Sequence, residues 1–320
     1  MSAPMDRKVV LITRQTRLEE LIHRYHTLAQ ARFYIEHLGA DFSDYLRESE
    51  AYASSLRIVV EALQAWGRYQ IIERRFLPNY VFGERDMVVV LGQDGLVANT
   101  MKYLRSHPVI GINPEPTRWD GVLLPFAAAD LQKVLPQVAL DKRKAKSITL
   151  AQATLSNGQT LRAVNDFFIG PKGHTSALYE IEVGEQKEMQ SSSGLIVSTG
   201  LGSTAWLKSI VTGSMAISQA MHGSIKQKVV KQAKVSNDYH PLPWDTQELR
   251  FAVREPFPSR SSEANLVFGS VDEQNPLKLR SRMAENGIIF SDGIAQDYME
   301  FNAGMEATIT LAPEQGQLVV

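Results

Sequence analysis

The hydrophobic period of the chain changes near Lys146, and that change limits what the sequence can fold into. Before it, short apolar runs alternate with segments of helical spacing. Lys8–Thr13, Tyr69–Ile72, Met87–Leu91 and Val109–Ile112 read as strands. Between them, Arg17–Trp66 reads as helix broken into two near Gly39 and Asp41–Ser43; Val97–Arg105 and Ala127–Leu140 carry apolar residues at helical spacing. Strands alternating with helices predict an α/β domain with a parallel, doubly wound sheet. After Lys146 short strands dominate. Ile148–Leu155 and Thr160–Phe168 flank Ser156-Asn157-Gly158-Gln159, a strong hairpin signal, because Asn and Gly tolerate positive φ. Leu178–Val183, Leu195–Thr199, Leu249–Val253, Leu266–Phe268, Ile288–Phe290 and Ala307–Leu311 add further strands, and Ser203–Ser218 one helix. The expected architecture is an α/β domain over residues 1–146 and a β-rich domain over residues 147–320.

The 320 residues suffice for two domains at roughly 100–200 residues each. A formal net charge of -1 supplies no field of one sign to hold nucleic acid or a membrane surface. The chain has no cysteine, which excludes disulfides, thiolate-bound zinc, iron–sulfur clusters and a cysteine nucleophile. Met1–Leu11 lacks the pattern of a signal peptide, and no apolar run approaches the ~18 residues of a membrane helix, so a cytoplasmic protein is expected. His23 and His26 lie three apart without a third ligand, and no metal site built from protein side chains is expected. Lys226, Lys228, Lys231 and Lys234 read as a solvated helix face, with phosphate contact as the alternative.

Three constellations can carry chemistry. In the first, the strand Val88–Leu91 runs into Gly92-Gln93-Asp94-Gly95 and then a helix. Ligands of open α/β sheets sit beyond the carboxyl ends of strands, glycines let backbone approach a phosphate, and a helix N-terminus favours its charge. Asp94 there is a candidate general base or hydroxyl-orienting group, and helix capping is its structural alternative. In the second, Leu195–Thr199 enters Gly200-Leu201-Gly202-Ser203-Thr204-Ala205-Trp206. The glycine spacing matches a dinucleotide fingerprint, but the acidic residue expected about 20 positions on is missing. A nucleotide-contacting turn of another kind, or a plain turn with Ser203 as N-cap, remains. The third is Asn165-Asp166, an amide beside a carboxylate, suited to an adenine edge and a ribose diol, or to an ordinary turn.

Taken in order, these segments resemble the NAD kinase family. Its Gly-Gly-Asp-Gly-Thr motif is similar to Gly92-Gln93-Asp94-Gly95-Leu96, its Asn-Glu pair to Asn165-Asp166, and its late Asp-Gly to Asp292-Gly293. Its Ser-Thr-Pro-Thr-Gly-Ser-Thr-Ala-Tyr motif is similar to Ser198–Trp206. Arg17 and Glu19, Pro108–Asn113 with Leu124-Pro125, Ser192–Leu195 and Arg254-Glu255-Pro256 resemble the family's mitochondrial-type branch.

The resemblance implies an α/β domain and an all-β domain with the active site in the crevice between them. It also implies transfer of the γ-phosphoryl of ATP, carried with Mg²⁺, to the 2′-hydroxyl of the adenosine ribose of NAD. On that analogy Asp94 takes or orients the hydroxyl proton, and Gly92, Gln93 and Gly95 form the donor turn. Asn165, Asp166, Thr204, Ala205, Trp206 and Ser209 hold the NAD, with Gly202, Ser203, Arg254 and Asp292 as further candidates. The implied partners are small-molecule nucleotides and further copies of the chain, in a homodimer or larger homo-oligomer. Gln93 and Leu96 depart from the donor motif, so a dinucleotide-binding regulator and a kinase of a sugar or lipid acceptor stand as alternatives.

Overall fold

The structure is a computed structural model that describes residues 7–222, 239–294 and 297–320. The Lys226–Lys234 segment lies outside the described residues. The chain forms two compact units: Met1–Ser147 with Gly316–Val320, and Ile148–Gln315.

The first unit is built on a seven-stranded sheet. Its order is Tyr69–Glu73, Val9–Thr13, Met87–Leu91, Pro108–Asn113, Gly316–Val319 and Ala145–Ile148, and the short Phe126–Ala127 pairs with Pro108–Asn113. The first four strands run parallel, as does Gly316–Val319 beside Pro108–Asn113. Val9–Thr13 and Met87–Leu91 are buried along their whole length, as strands covered on both faces must be. The helices Ser43–Trp66 and Leu131–Ala139 close one apolar core through Tyr52, Val59, Leu63, Leu131, Val134 and Leu135.

Arg17–Trp66 holds three helices, not two: Arg17–Tyr25, Leu28–His37 and Ser43–Trp66. The additional break is at His26, which takes a left-handed φ of 67°, and Thr27 then caps the next helix by accepting from the Gln30 N–H. The helix after Asp94 begins at that residue and ends at Met101.

The second unit has two antiparallel six-stranded sheets. One runs in the order Gln186–Ser192, Ala177–Val183, Leu277–Ser281, Glu306–Leu311, Ala151–Leu155, Thr160–Ala163. The other runs in the order Phe268–Val271, Leu249–Val253, Leu195–Ser198, Asp166–Pro171, Gly287–Ser291, Tyr298–Glu300. Alternate residues of both, such as Ala151, Ala153 and Leu155 with Phe167, Ile169, Leu195 and Val197, share one core. The opposite face of the second sheet carries Phe168, Ile196 and Ala252, which pack against Leu207, Trp206 and Ile210 of the helix Trp206–His222.

Two expected strands break. Ile148–Leu155 divides into Ala145–Ile148 and Ala151–Leu155, and Thr160–Phe168 divides into Thr160–Ala163 and Asp166–Pro171. The second break moves the chain from one sheet to the other. At that crossing the Asp292 carboxylate, not a ladder partner, accepts from the N–H groups of Val164, Asn165 and Asp166, at 3.1, 2.7 and 3.3 Å. At the hairpin only Gly158 has positive φ, at 87°.

Candidate functional site

In the first unit the parallel strands Val9–Thr13 and Met87–Leu91 end side by side, their register pairing Ile12 with Val90. The Tyr52 hydroxyl ties the two ends together. It accepts from the Arg14 backbone N–H at 3.1 Å and donates to the Leu91 carbonyl at 3.2 Å. Gly92 follows, then Gln93 at the N-cap and Asp94 as the first helical residue. Asp94 does not act as the cap. Its carboxylate reaches across to a different loop and accepts from the backbone N–H of Val122 at 3.2 Å and Leu123 at 2.8 Å. Two charge-assisted bonds from fixed backbone orient a carboxylate more tightly than a single surface contact would.

The loop that holds Asp94 is itself set by close packing. Gly111 lies against it so tightly that a Cβ would come within 2.0 Å of the Leu123 carbonyl oxygen. Asn113, buried, donates to the Trp119 carbonyl at 2.8 Å and accepts from the Glu115 N–H at 3.0 Å. Arg118 of the same loop reaches Asp44 at 2.8 Å.

The departures from the donor motif have a local explanation. Gln93 takes φ -120° and ψ 162°, an extended conformation open to any residue, so no glycine is required there and no backbone strain is stored. Its side chain is exposed. Leu96 is buried, and its Cδ2 lies 2.8 Å from the point a Gly92 Cβ would occupy, so it belongs to the packing beneath the turn. Gly95 has open space where a Cβ would stand.

In the second unit the structure brings Asn165, Asp166, the Gly200–Trp206 turn and Asp292 together. Ser198 pairs with Asp166 across the antiparallel ladder. The Thr199 N–H donates to the Asn165 carbonyl at 2.9 Å, and the Thr199 hydroxyl bonds the Val164 carbonyl at 2.5 Å. Gly202 sits on this junction: a Cβ there would come within 2.0 Å of the Asn165 carbonyl oxygen. Its glycine is required by close backbone approach and has no positive φ. The strand that enters the turn is antiparallel to both neighbours, so the glycine spacing belongs to no βαβ unit.

The candidate residues divide by exposure. Ser203 is fully buried; its hydroxyl donates to the Gly200 carbonyl at 2.6 Å and accepts from the Leu242 N–H at 3.0 Å. Thr204, Ala205 and Ser209 are exposed, and Trp206 is half-buried. The Trp206 ring lies 5.9 Å from that of Phe168 and 7° from parallel. The Arg254 guanidinium carbon lies 5.5 Å from the Trp206 centroid and 5.6 Å from that of Phe168. This cation–aromatic cluster presents a flat, partly apolar wall of the kind a base can stack on. Phe168 went unnoticed in the sequence because it sits in an apolar run, where only the sheet's alternation tells its face from that of Phe167.

Asp166 is buried, and desolvation with the nearby Asp292 carboxylate pushes its carboxyl up to about 7. Asp292 takes a left-handed φ of 55° and is anchored by the three N–H groups of the strand crossing. Its place is thus that of a buttress for the Asn165-Asp166 backbone.

Among the described residues no three His, Asp or Glu side chains cluster to hold a metal ion, and no helix is long and apolar enough to cross a membrane. No protein-family model matches the chain. Over 388 aligned positions, gaps included, it is 26% identical to "NAD kinase 2, mitochondrial" of Xenopus tropicalis, covering 95% of this chain and 88% of that protein. Its fold is similar to that of yeast NADH kinase complexed with NADH, at TM-score 0.54 and 14% identity, over 98% of this chain and 83% of that one. It is also similar to an NAD kinase from Archaeoglobus fulgidus in complex with ATP, at TM-score 0.54 and 15% identity, over 98% and 93% of the two chains.

Proposed function

The chain belongs to the NAD kinase family, and on that premise we propose that it transfers the γ-phosphoryl group of ATP to the 2′-hydroxyl of the adenosine ribose of NAD, giving NADP. The observation that carries the reading is Asp94. It stands at the carboxyl end of a buried parallel strand, fixed by two backbone N–H groups of another loop and released from capping its own helix. A carboxylate so fixed can take the proton of the attacking hydroxyl as its oxygen bonds to phosphorus and ADP leaves.

Asn165 and Asp166 are the proposed contacts to the adenosine of NAD. The Asp166 carboxylate accepts from a ribose hydroxyl, and the exposed Thr204, Ala205 and Ser209 with the Trp206 ring receive the adenine. The open space at Gly95 leaves backbone approachable by donor phosphates. Mg²⁺ would arrive on ATP, where it would neutralise phosphate charge.

The exposed Gln93, in place of a glycine at the donor turn, favours one other reading: a regulator that binds the dinucleotide without turnover. Incubation with NAD and Mg-ATP, read by an NADP-specific dehydrogenase, separates the two. Product reducible by that dehydrogenase is expected. ATP-independent NAD binding with no such product would establish the regulator in the kinase's place.

A further inference from the structure

Arg14 follows the strand Val9–Thr13 directly, and the register that pairs Ile12 with Val90 carries it level with Gly92. Its Cδ lies 3.6 Å from the point a Gly92 Cβ would occupy. Its backbone N–H is held by the Tyr52 hydroxyl that also bonds Leu91. The aliphatic stem of Arg14 thus packs beside the turn that opens the Asp94 helix, and its guanidinium lies over the Tyr52 ring, 5.2 Å from the centroid.

Two features set Arg14 apart from an ordinary structural arginine. Its Nη1 donates to the Gln15 carbonyl and its Nη2 to Glu48, at 2.9 and 2.8 Å, but among the described residues its Nε is buried with no hydrogen-bond partner. A buried donor left unmade is costly, and such groups ask for an explanation. In addition, its counter-ion is shared. Glu48, itself buried, also pairs with the Arg17 Nε, and Arg17 bonds Asp44 in turn. Glu48 therefore keeps a cationic partner when Arg14 turns to another anion.

We propose that Arg14 binds the phosphates of the phosphoryl donor, supplying from the neighbouring strand a cation and N–H donors at the Gly92–Gly95 turn. The proposal deepens the kinase reading and rests on it for the identity of the donor. The ligand class is an oligophosphate anion, and the planar guanidinium suits its oxygens.

The test is calorimetric titration of the full chain with inorganic tripolyphosphate and, separately, with NAD. Arg14→Met is expected to weaken tripolyphosphate binding at least ~10-fold, about one charge-assisted hydrogen bond. It is expected to leave the NAD dissociation constant within about twofold, since no contact to NAD is lost. Guanidinium ion added to Arg14→Ala is expected to restore part of the lost affinity. Glu48→Gln guards against a merely structural effect. It breaks the Arg14–Glu48 pair, and the Arg17–Glu48 pair with it, but frees Arg14, so tripolyphosphate should bind it as tightly as the wild type or more so. Unchanged tripolyphosphate affinity in Arg14→Met, no binding by the wild type, or an equal loss in Glu48→Gln would each overturn the proposal. The kinase reading fails separately. A wild type that makes no NADP yet binds tripolyphosphate through Arg14 refutes the reaction and leaves the site. A wild type that makes NADP with the same ATP KM as Arg14→Met refutes the site and leaves the reaction.

Discussion

Asp166 is buried, and its burial bears on the NAD contact proposed for it. Its carboxyl is raised from the usual 3.8 to about 7 by burial first and by the Asp292 carboxylate second. A raised carboxyl pKa favours the folded chain in acid: its contribution is complete below the unfolded value and is lost as pH rises through about 7. The proposed ribose contact carries the opposite sign, because an ionised carboxylate accepts from a hydroxyl more strongly than a neutral carboxyl does. NAD is therefore expected to bind more tightly from about pH 6 to 8, by up to about tenfold per pH unit below the pKa. Asp166→Asn should flatten that profile in titrations across the range, and a profile unchanged by the substitution would remove Asp166 from the contact. Gln93 gives a second residue-scale expectation. Since its φ of -120° strains no side chain, Gln93→Gly should change the unfolding free energy read from urea titration by no more than the ~1 kcal/mol of glycine's extra chain entropy. The glycine, aspartate and asparagine positions of the candidate site stand out in the sequence as motifs. Arg14, the proposed phosphate contact, does not, because a lone arginine after a strand carries no pattern; only the parallel register puts it beside Gly92.

At the scale of elements, the end of the first strand depends on a hydroxyl from the long helix Ser43–Trp66. Tyr52→Phe leaves the Arg14 N–H and the Leu91 carbonyl without that partner, at a cost of about 1–3 kcal/mol. Chemical denaturation measures this directly; a loss below about 0.5 kcal/mol would mean that the backbone finds water instead. The strands that sequence reading found are apolar runs such as Met87–Leu91, whose β-branched residues leave little choice. Gln186–Ser192 was missed because only alternate positions are buried and its composition is polar. Leu277–Ser281 was missed although its alternation is regular, because five residues carry little signal on their own. The continuous strand expected over Thr160–Phe168 was wrong for a different reason. Its crossing between sheets is dictated by Asp292, more than a hundred residues away in sequence, as the 126-residue separation from Asp166 records. Periodicity cannot report a partner so distant.

For the molecule as a whole, the change of period near Lys146 was the most informative feature of the sequence, since it separates a parallel α/β sheet from antiparallel sheets. It said nothing of Gly316–Val319, four residues that pair with Pro108–Asn113 in the first unit's sheet. Leu318 and Val319 are buried there, worth about 1.5–3 kcal/mol each. Deleting residues 316–320 should therefore strip hydrogen-exchange protection from Pro108–Asn113 while Ala151–Leu155 and Glu306–Leu311 keep theirs. Equal loss in both sets would show that the two units do not open separately. NADP formation measured for the wild type and Asp94→Asn, with NAD binding followed in parallel, decides whether Asp94 serves as the base. The expected result is a rate at least ~100-fold lower in the variant, the lower range for loss of a general base, with NAD affinity unchanged. A variant that turns over as fast as the wild type, or a wild type that binds NAD and forms no NADP, would contradict the account.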